Sequence, residues 1–182
     1  MMIRWRRFNI YLSLVLLFAL TSACHTEAGK RKHALSTFSV LLETTQRPTD
    51  PEQTVKVGRD NPQVFWVEKK PLLTEQYVKS AKVVDTMGGF AIQVTFNREG
   101  SWLLEQYTAA NHGHHLILFS QFSTPPDEKL NQGRYLAAPR IATQISDGQI
   151  AFTPDASREE ADQIVLGLNN LAKKVQGFEF KD

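Results

Sequence analysis

A thiol that follows an apolar stretch and small residues is the chemistry of acylation, and Cys24 is the only cysteine in the chain. Arg4, Arg6 and Arg7 precede an apolar run from Ile10 to Leu20, and Thr21-Ser22-Ala23 lead directly into Cys24. Basic, apolar and small-residue regions in that order predict a bacterial lipoprotein signal peptide over residues 1–23, cut before Cys24, whose sulfur would carry a diacylglycerol. Thr21 departs from the commonest pattern, in which the third residue before the cysteine is Leu, Val or Ile; Leu20 lies one step earlier. The competing readings are an ordinary secretory signal, with Cys24 discarded or left as a free thiol, and an uncleaved anchor. The run is shorter than the ~20 residues that span a bilayer, which weighs against the anchor. A lone thiol also has no disulfide partner, so acylation gives it a purpose.

His112, His114 and His115 are the second group with chemical potential, as metal ligands or as a base. A metal needs donors that converge, and neighbouring residues on a strand point to opposite faces, so His114 and His115 are expected to diverge. No HExxH or Cys-His spacing supports them. Glu159, Glu160 and Asp162 lie where a helix begins, and acids there answer the positive end of the helix dipole rather than catalyse. Ser101 and Ser120 lack a nucleophile elbow. Gly88-Gly89 precedes a strand, the wrong context for a phosphate loop. Phe65, Trp66, Trp102 and Tyr135 would either line a groove for extended peptide or simply fill the core, and aromatic residues more often do the latter. The sites expected are therefore lipidation at Cys24, with no catalytic, cofactor or metal residues.

The elements that must position these groups follow from the pattern of side chains. Removing Arg4, Arg6 and Arg7 with the signal leaves 18 basic against 19 acidic residues. That balance gives no electrostatic footprint for nucleic acid. Residues 24–36 read as a polar tether containing Lys30-Arg31-Lys32, and residues 37–182 as one domain that holds its core without disulfides. Phe38, Val40 and Leu42 alternate with polar residues as a strand, and Val64 to Val67 form another. Thr74 is the expected cap of a short helix with Tyr77, Val78 and Ala81 inward, followed by a strand near Val83-Val84. Phe90, Ile92, Val94 and Phe96 give the clearest alternation. Asn97 then caps a helix with Leu103, Leu104, Tyr107 and Ala110 on one side, ended by Gly113. Leu116 to Phe119 is apolar on both faces and reads as a central strand. A polar loop spans Pro125 to about Gly133, with extended segments at Tyr135–Ile141 and Gln144–Phe152. Ser157 to Glu160 is a capping box for a helix bearing Ala161, Ile164, Val165, Leu168, Leu171 and Val175. Gly177 is expected to stop it before a last strand at Phe178-Glu179-Phe180. Residues 37–87 thus form a strand-rich lead-in. Residues 88–182 form an α+β core of the ferredoxin-like, split βαβ kind, an antiparallel sheet with helices on one face.

Gly89-Phe90-Ala91-Ile92-Gln93-Val94-Thr95-Phe96-Asn97-Arg98-Glu99-Gly100 resembles the strand-to-helix segment in the periplasmic head of SecD, the accessory subunit of the bacterial Sec translocase. The resemblance continues through the Gly113–Phe119 strand, Ala138-Pro139-Arg140-Ile141, the turn at Asp147-Gly148 and the Glu159-Glu160-Ala161 helix, covering roughly Pro71 to Leu171. The chain departs from the family in its long segment Phe122–Arg134 and in lacking the transmembrane helices that couple transport to the proton gradient. The resemblance therefore implies the head fold and contact with exported polypeptide or envelope protein partners, with a Sec translocase among them, but no motor. It implies a non-enzymatic protein without cofactors, and together with the signal segment ending at Cys24 it gives the expectation of a lipid-anchored protein facing the periplasm. His25 is not the Asp that retains some lipoproteins in the inner membrane, which leans towards the outer one. The alternative is an envelope enzyme or metal-binding protein that uses the His112–His115 cluster. An exposed aromatic groove would favour the first reading, and convergence of these histidines with an acid the second.

Overall fold

The computed structural model describes residues 34–123 and 132–179, so the signal segment, Cys24 and most of the tether lie outside the described residues. Among the described residues, nine strands and two long helices follow in chain order. Strands β1 (Ser39–Leu42), β2 (Thr54–Val57), β3 (Gln63–Trp66), β4 (Leu73–Thr74), β5 (Val78–Thr86) and β6 (Gly89–Phe96) precede helix α1 (Arg98–Ala110). Strands β7 (Leu116–Phe122), β8 (Gln132–Ala137) and β9 (Gln149–Phe152) then lead to helix α2 (Arg158–Glu179). Every strand pair is antiparallel. This is the expected ferredoxin-like α+β class, with its strands shared among a sheet ordered β4-β1-β7-β8, a sheet ordered β5-β6-β9, and a β2-β3 ribbon.

The alternation read in β1 and β6 buries Val40, Leu42, Ile92, Val94 and Phe96. These meet Leu104 of α1 and Ala161, Ile164 and Leu168 of α2 in one core. Phe38, just before β1, bridges the two larger sheets, its ring 6.5 Å from Phe96 and 6.4 Å from Phe152. Leu116, Ile117 and Leu118 are buried in succession, and β7 is interior to its sheet, as its apolar faces predict. Its second face is covered by the ribbon, whose Val55, Val57, Phe65 and nearby Val67 pack over Ile117, Leu41 and Tyr135.

Both helix starts obey their sequence signals. Asn97 accepts the Gly100 N–H at 2.8 Å. In the capping box, Ser157 Oγ accepts from the Glu160 N–H at 3.2 Å and Glu160 Oε2 accepts from the Ser157 N–H at 2.8 Å. Gly100 is small for a reason: a Cβ there would lie 2.8 Å from Tyr77 Cβ and 3.1 Å from Phe96 Cβ.

Three local expectations fail. The helix after Thr74 is only a 3-10 turn, Glu75–Tyr77, and Thr74 makes no side-chain cap. The strand starts at Val78 rather than Val83, because pairing with β6 captures the segment despite a bulge between Val78 and Ser80. Helix α2 runs through Gly177 to Glu179, so residues 178 and 179 are helical and not a strand. One glycine costs a helix only ~1 kcal/mol, too little to stop one already anchored along its length.

Two fastenings tie flanking segments to α2. Residues 34–38 form a strap across α2: Asn170 Nδ2 donates to Ala34 O at 3.0 Å, and the Thr37 N–H donates to Gln121 O at 2.8 Å. Along β5, the Asn169 side chain engages both backbone groups of Ala81, accepting its N–H at 2.9 Å and donating to its carbonyl at 2.8 Å.

Candidate functional site

Register builds the site. Pairing of Leu42 with Leu116 sets the next residue, Glu43, opposite His115. The Glu43 N–H donates to His115 O at 3.0 Å, and the His115 N–H returns to Glu43 Oε2 at 2.8 Å. The same carboxylate oxygen lies 2.7 Å from His115 Nδ1. His114 Nδ1 lies 3.2 Å from the Glu43 carbonyl oxygen. The two imidazoles therefore do not diverge as strand geometry predicts. The preceding turn lets both reach the same residue, one its carbonyl and the other its carboxylate. The Phe65 ring packs on His115 at 5.0 Å between centroids.

A carbonyl oxygen only accepts, so His114 must carry its proton on Nδ1, and the carboxylate favours the same tautomer in His115. Each neutral ring then keeps Nε2 as an acceptor. Around them Glu43, Thr45, His112, Gly113, His114, His115 and Arg140 line an open groove of about 500 Å³. Arg140 is positioned by its backbone bridge to His115 and by donation from Nε to Gly113 O at 3.0 Å. Gly113 follows the end of α1 with φ 87°, a value that favours glycine.

No set of three or more His, Cys, Asp or Glu among the described residues is grouped to hold a metal ion. What the arrangement can supply is an oriented carboxylate–imidazole pair and a guanidinium. Neither serine adds a nucleophile: Ser101 Oγ donates to Asn97 O at 2.8 Å, and the buried Ser120 Oγ donates to Thr37 O at 2.8 Å.

The remaining candidates separate. Glu160 caps α2 and also takes a two-pronged bond from Arg134, Nη1 and Nη2 each at 2.9 Å from its oxygens. That guanidinium holds the Glu160 carboxyl below the ordinary carboxylate range. Asp162 lies 4.0 Å from Arg158, which also pairs with Asp85. The aromatic set does not converge. Phe65 is buried beneath the ribbon, Tyr135 packs on Phe119 at 5.0 Å, and Trp66 and Trp102 point outward from β3 and α1, 37% and 55% exposed. Glu43 is the residue that sequence reasoning missed. Its only signal was its place at the end of an alternating strand, and its partner is 72 residues away.

Fold and site together define a small α+β head domain with a polar groove at one strand junction and a fastened N-terminal strap. The chain belongs to the SecDF, P1 head subdomain family, which matches residues 52–172. Among solved structures it is similar to a membrane component SecDF that enhances protein export, at 21% identity and TM-score 0.53, with 79% of this chain and 66% of that one covered. It is also similar to SecDF in a super-membrane-facing form, at 19% identity and TM-score 0.51, covering 80% of this chain and 21% of that one. The chain thus spans under two thirds of the length of either structure. No curated protein sequence matches it. No helix among the described residues is long and apolar enough to cross a membrane.

Proposed function

We propose that this chain is a non-catalytic envelope protein whose head contacts exported polypeptides or envelope protein partners and assists their translocation. The observation that carries this reading is the family match over residues 52–172, which spans both helices' capping signals and most of the strands. The similar SecDF structure, described as enhancing protein export, supports it. On this reading Cys24 is acylated after removal of residues 1–23, residues 24–36 act as the tether, and residues 37–182 stand as one head on the periplasmic side, at the outer membrane. Sec translocase subunits are the first partners to seek.

A second reading, an enzyme built on the histidine cluster, is favoured by one observation: His115 Nδ1 lies 2.7 Å from the Glu43 carboxylate. Against it, neither Ser101 nor Ser120 lines the groove. Crosslinking in the native envelope, followed by mass spectrometry, tests the first reading. Capture of translocase subunits or nascent exported chains by the wild type, reduced in Cys24→Ala, is the expected result. Capture of neither leaves a shared fold without shared work.

A further inference from the structure

Arg140 is pinned without being neutralised. Its Nε is spent on Gly113 O, yet its two terminal nitrogens have no partner among the described residues, although Glu43 lines the same groove. Glu43 is engaged elsewhere: one of its oxygens takes the His115 N–H at 2.8 Å and faces His115 Nδ1 at 2.7 Å. A guanidinium recognises a carboxylate through two parallel N–H donors. The side-on pair that uses Nε is occupied here, so the end-on pair, Nη1 with Nη2, is the one on offer. Beside it, the Nδ1–H tautomers of His114 and His115 leave ring nitrogens that accept, and Thr45 contributes a hydroxyl. A guanidinium fork with acceptors beside it suits a carboxylate that carries its own N–H a few bonds away.

We propose that the Glu43–His112–His115–Arg140 groove binds a carboxylate with an adjacent N–H, the chemistry found at the free C-terminus of a polypeptide. Arg140 holds the carboxylate end-on, the imidazole Nε2 atoms accept the N–H, and Glu43 fixes the rings in the required tautomer. The groove is open rather than enclosed, which suits the end of a chain whose remainder lies outside. The proposal deepens the polypeptide-contact reading but does not need the translocase or the lipid anchor.

N-acetylglycine is the probe, titrated into isotope-labelled protein, with backbone amides 113–115 and the histidine ring signals followed by NMR. Saturable shifts at these positions are expected. N-acetylglycinamide, which lacks the carboxylate, should leave them unmoved. Arg140→Lys keeps the charge but loses the fork and should bind about tenfold more weakly. Arg140→Gln should abolish saturation while the rest of the amide spectrum stays in place, since Arg140 is exposed and makes one side-chain bond. Glu43→Gln should narrow the preference for N-acetylglycine over acetate. Non-saturating shifts, equal binding of the amide, or an Arg140→Gln titration like that of the wild type would overturn the proposal. Tighter Arg140-dependent binding of inorganic phosphate than of N-acetylglycine would overturn the carboxylate assignment. Failure here, alongside successful crosslinking to exported chains, would sink the groove and spare the export reading.

Discussion

Replacing Gly167 with alanine sets two effects of opposite sign against each other. Helix propensity alone favours the change: alanine in a helix interior is worth about 1 kcal/mol over glycine. Packing opposes it. A Cβ at Gly167 would stand 2.6 Å from the Leu35 carbonyl carbon and 2.6 Å from the Ser36 nitrogen, with Ser36 Oγ closer still. Ordinary carbon contacts begin near ~3.5 Å, so the strap would have to retreat by roughly 1 Å. These are backbone atoms, held in place by the Ala34 and Thr37 hydrogen bonds and by the bridge between Ser36 and Phe122. Overpacking of this kind costs about 1–3 kcal/mol, and surrendering the strap's hydrogen bonds instead costs about 1 kcal/mol each. The net expectation for Gly167→Ala is a loss of up to about 2 kcal/mol, which lowers Tm by as much as several degrees in a domain of this size. Urea unfolding gives the free energy, and hydrogen exchange should show faster opening at residues 34–38. Adding Ser36→Gly should recover little, because the carbonyl carbon and the amide nitrogen remain in the way. A rise in Tm with unchanged protection of the strap would refute the reasoning, since propensity would then be acting without opposition.

Ser157→Ala removes the Oγ that accepts the Glu160 N–H and should cost about 1 kcal/mol in urea unfolding. Asn169→Leu keeps the side-chain bulk but strips both bonds to Ala81. A loss of about 1–2 kcal/mol is expected by thermal unfolding, and a neutral result would mean that these bonds add nothing net. The Arg134–Glu160 pair predicts a pH dependence. Glu160 is held below its ordinary value, so the stability it adds is present above the unfolded value near ~4.3 and is lost as pH falls through the folded value. Arg134→Met should therefore flatten the acid side of the stability profile between about pH 5 and pH 3, while leaving the slope above pH 6 unchanged.

Local signals were legible where a few neighbouring residues decide the outcome. The alternation of β6, the apolar run of β7, the Asn97 cap and the Ser157–Glu160 box could all be read directly, because each depends on contacts within one element. Strand β2 is only four residues long, and the alternation of Val55 and Val57 with Thr54 and Lys56 is too short for periodicity to stand out without its β3 partner. Helical expectation at Thr74 lost to sheet pairing, a long-range effect that spacing does not carry. The groove was half legible. Its histidines stood out, but whether adjacent imidazoles converge depends on β1–β7 register and on Glu43, neither of which is visible from the local sequence. The strap was hidden for the same reason, since Gly167 reads as an ordinary weak point in a helix until the segment lying across it is known.

Asn169 has a consequence for how the domain can meet other chains. A sheet border with unused amide and carbonyl groups is a template on which a stray extended segment can grow as an extra strand. On β5 one such docking point, Ala81, is already taken by an amide that mimics a strand, and further along the Asp85 side chain pairs with Arg158. An incoming segment would have to displace a doubly bonded side chain to form a rung at Ala81. For a protein proposed to work among unfolded polypeptides, that plug separates handling a chain from being recruited into its aggregate.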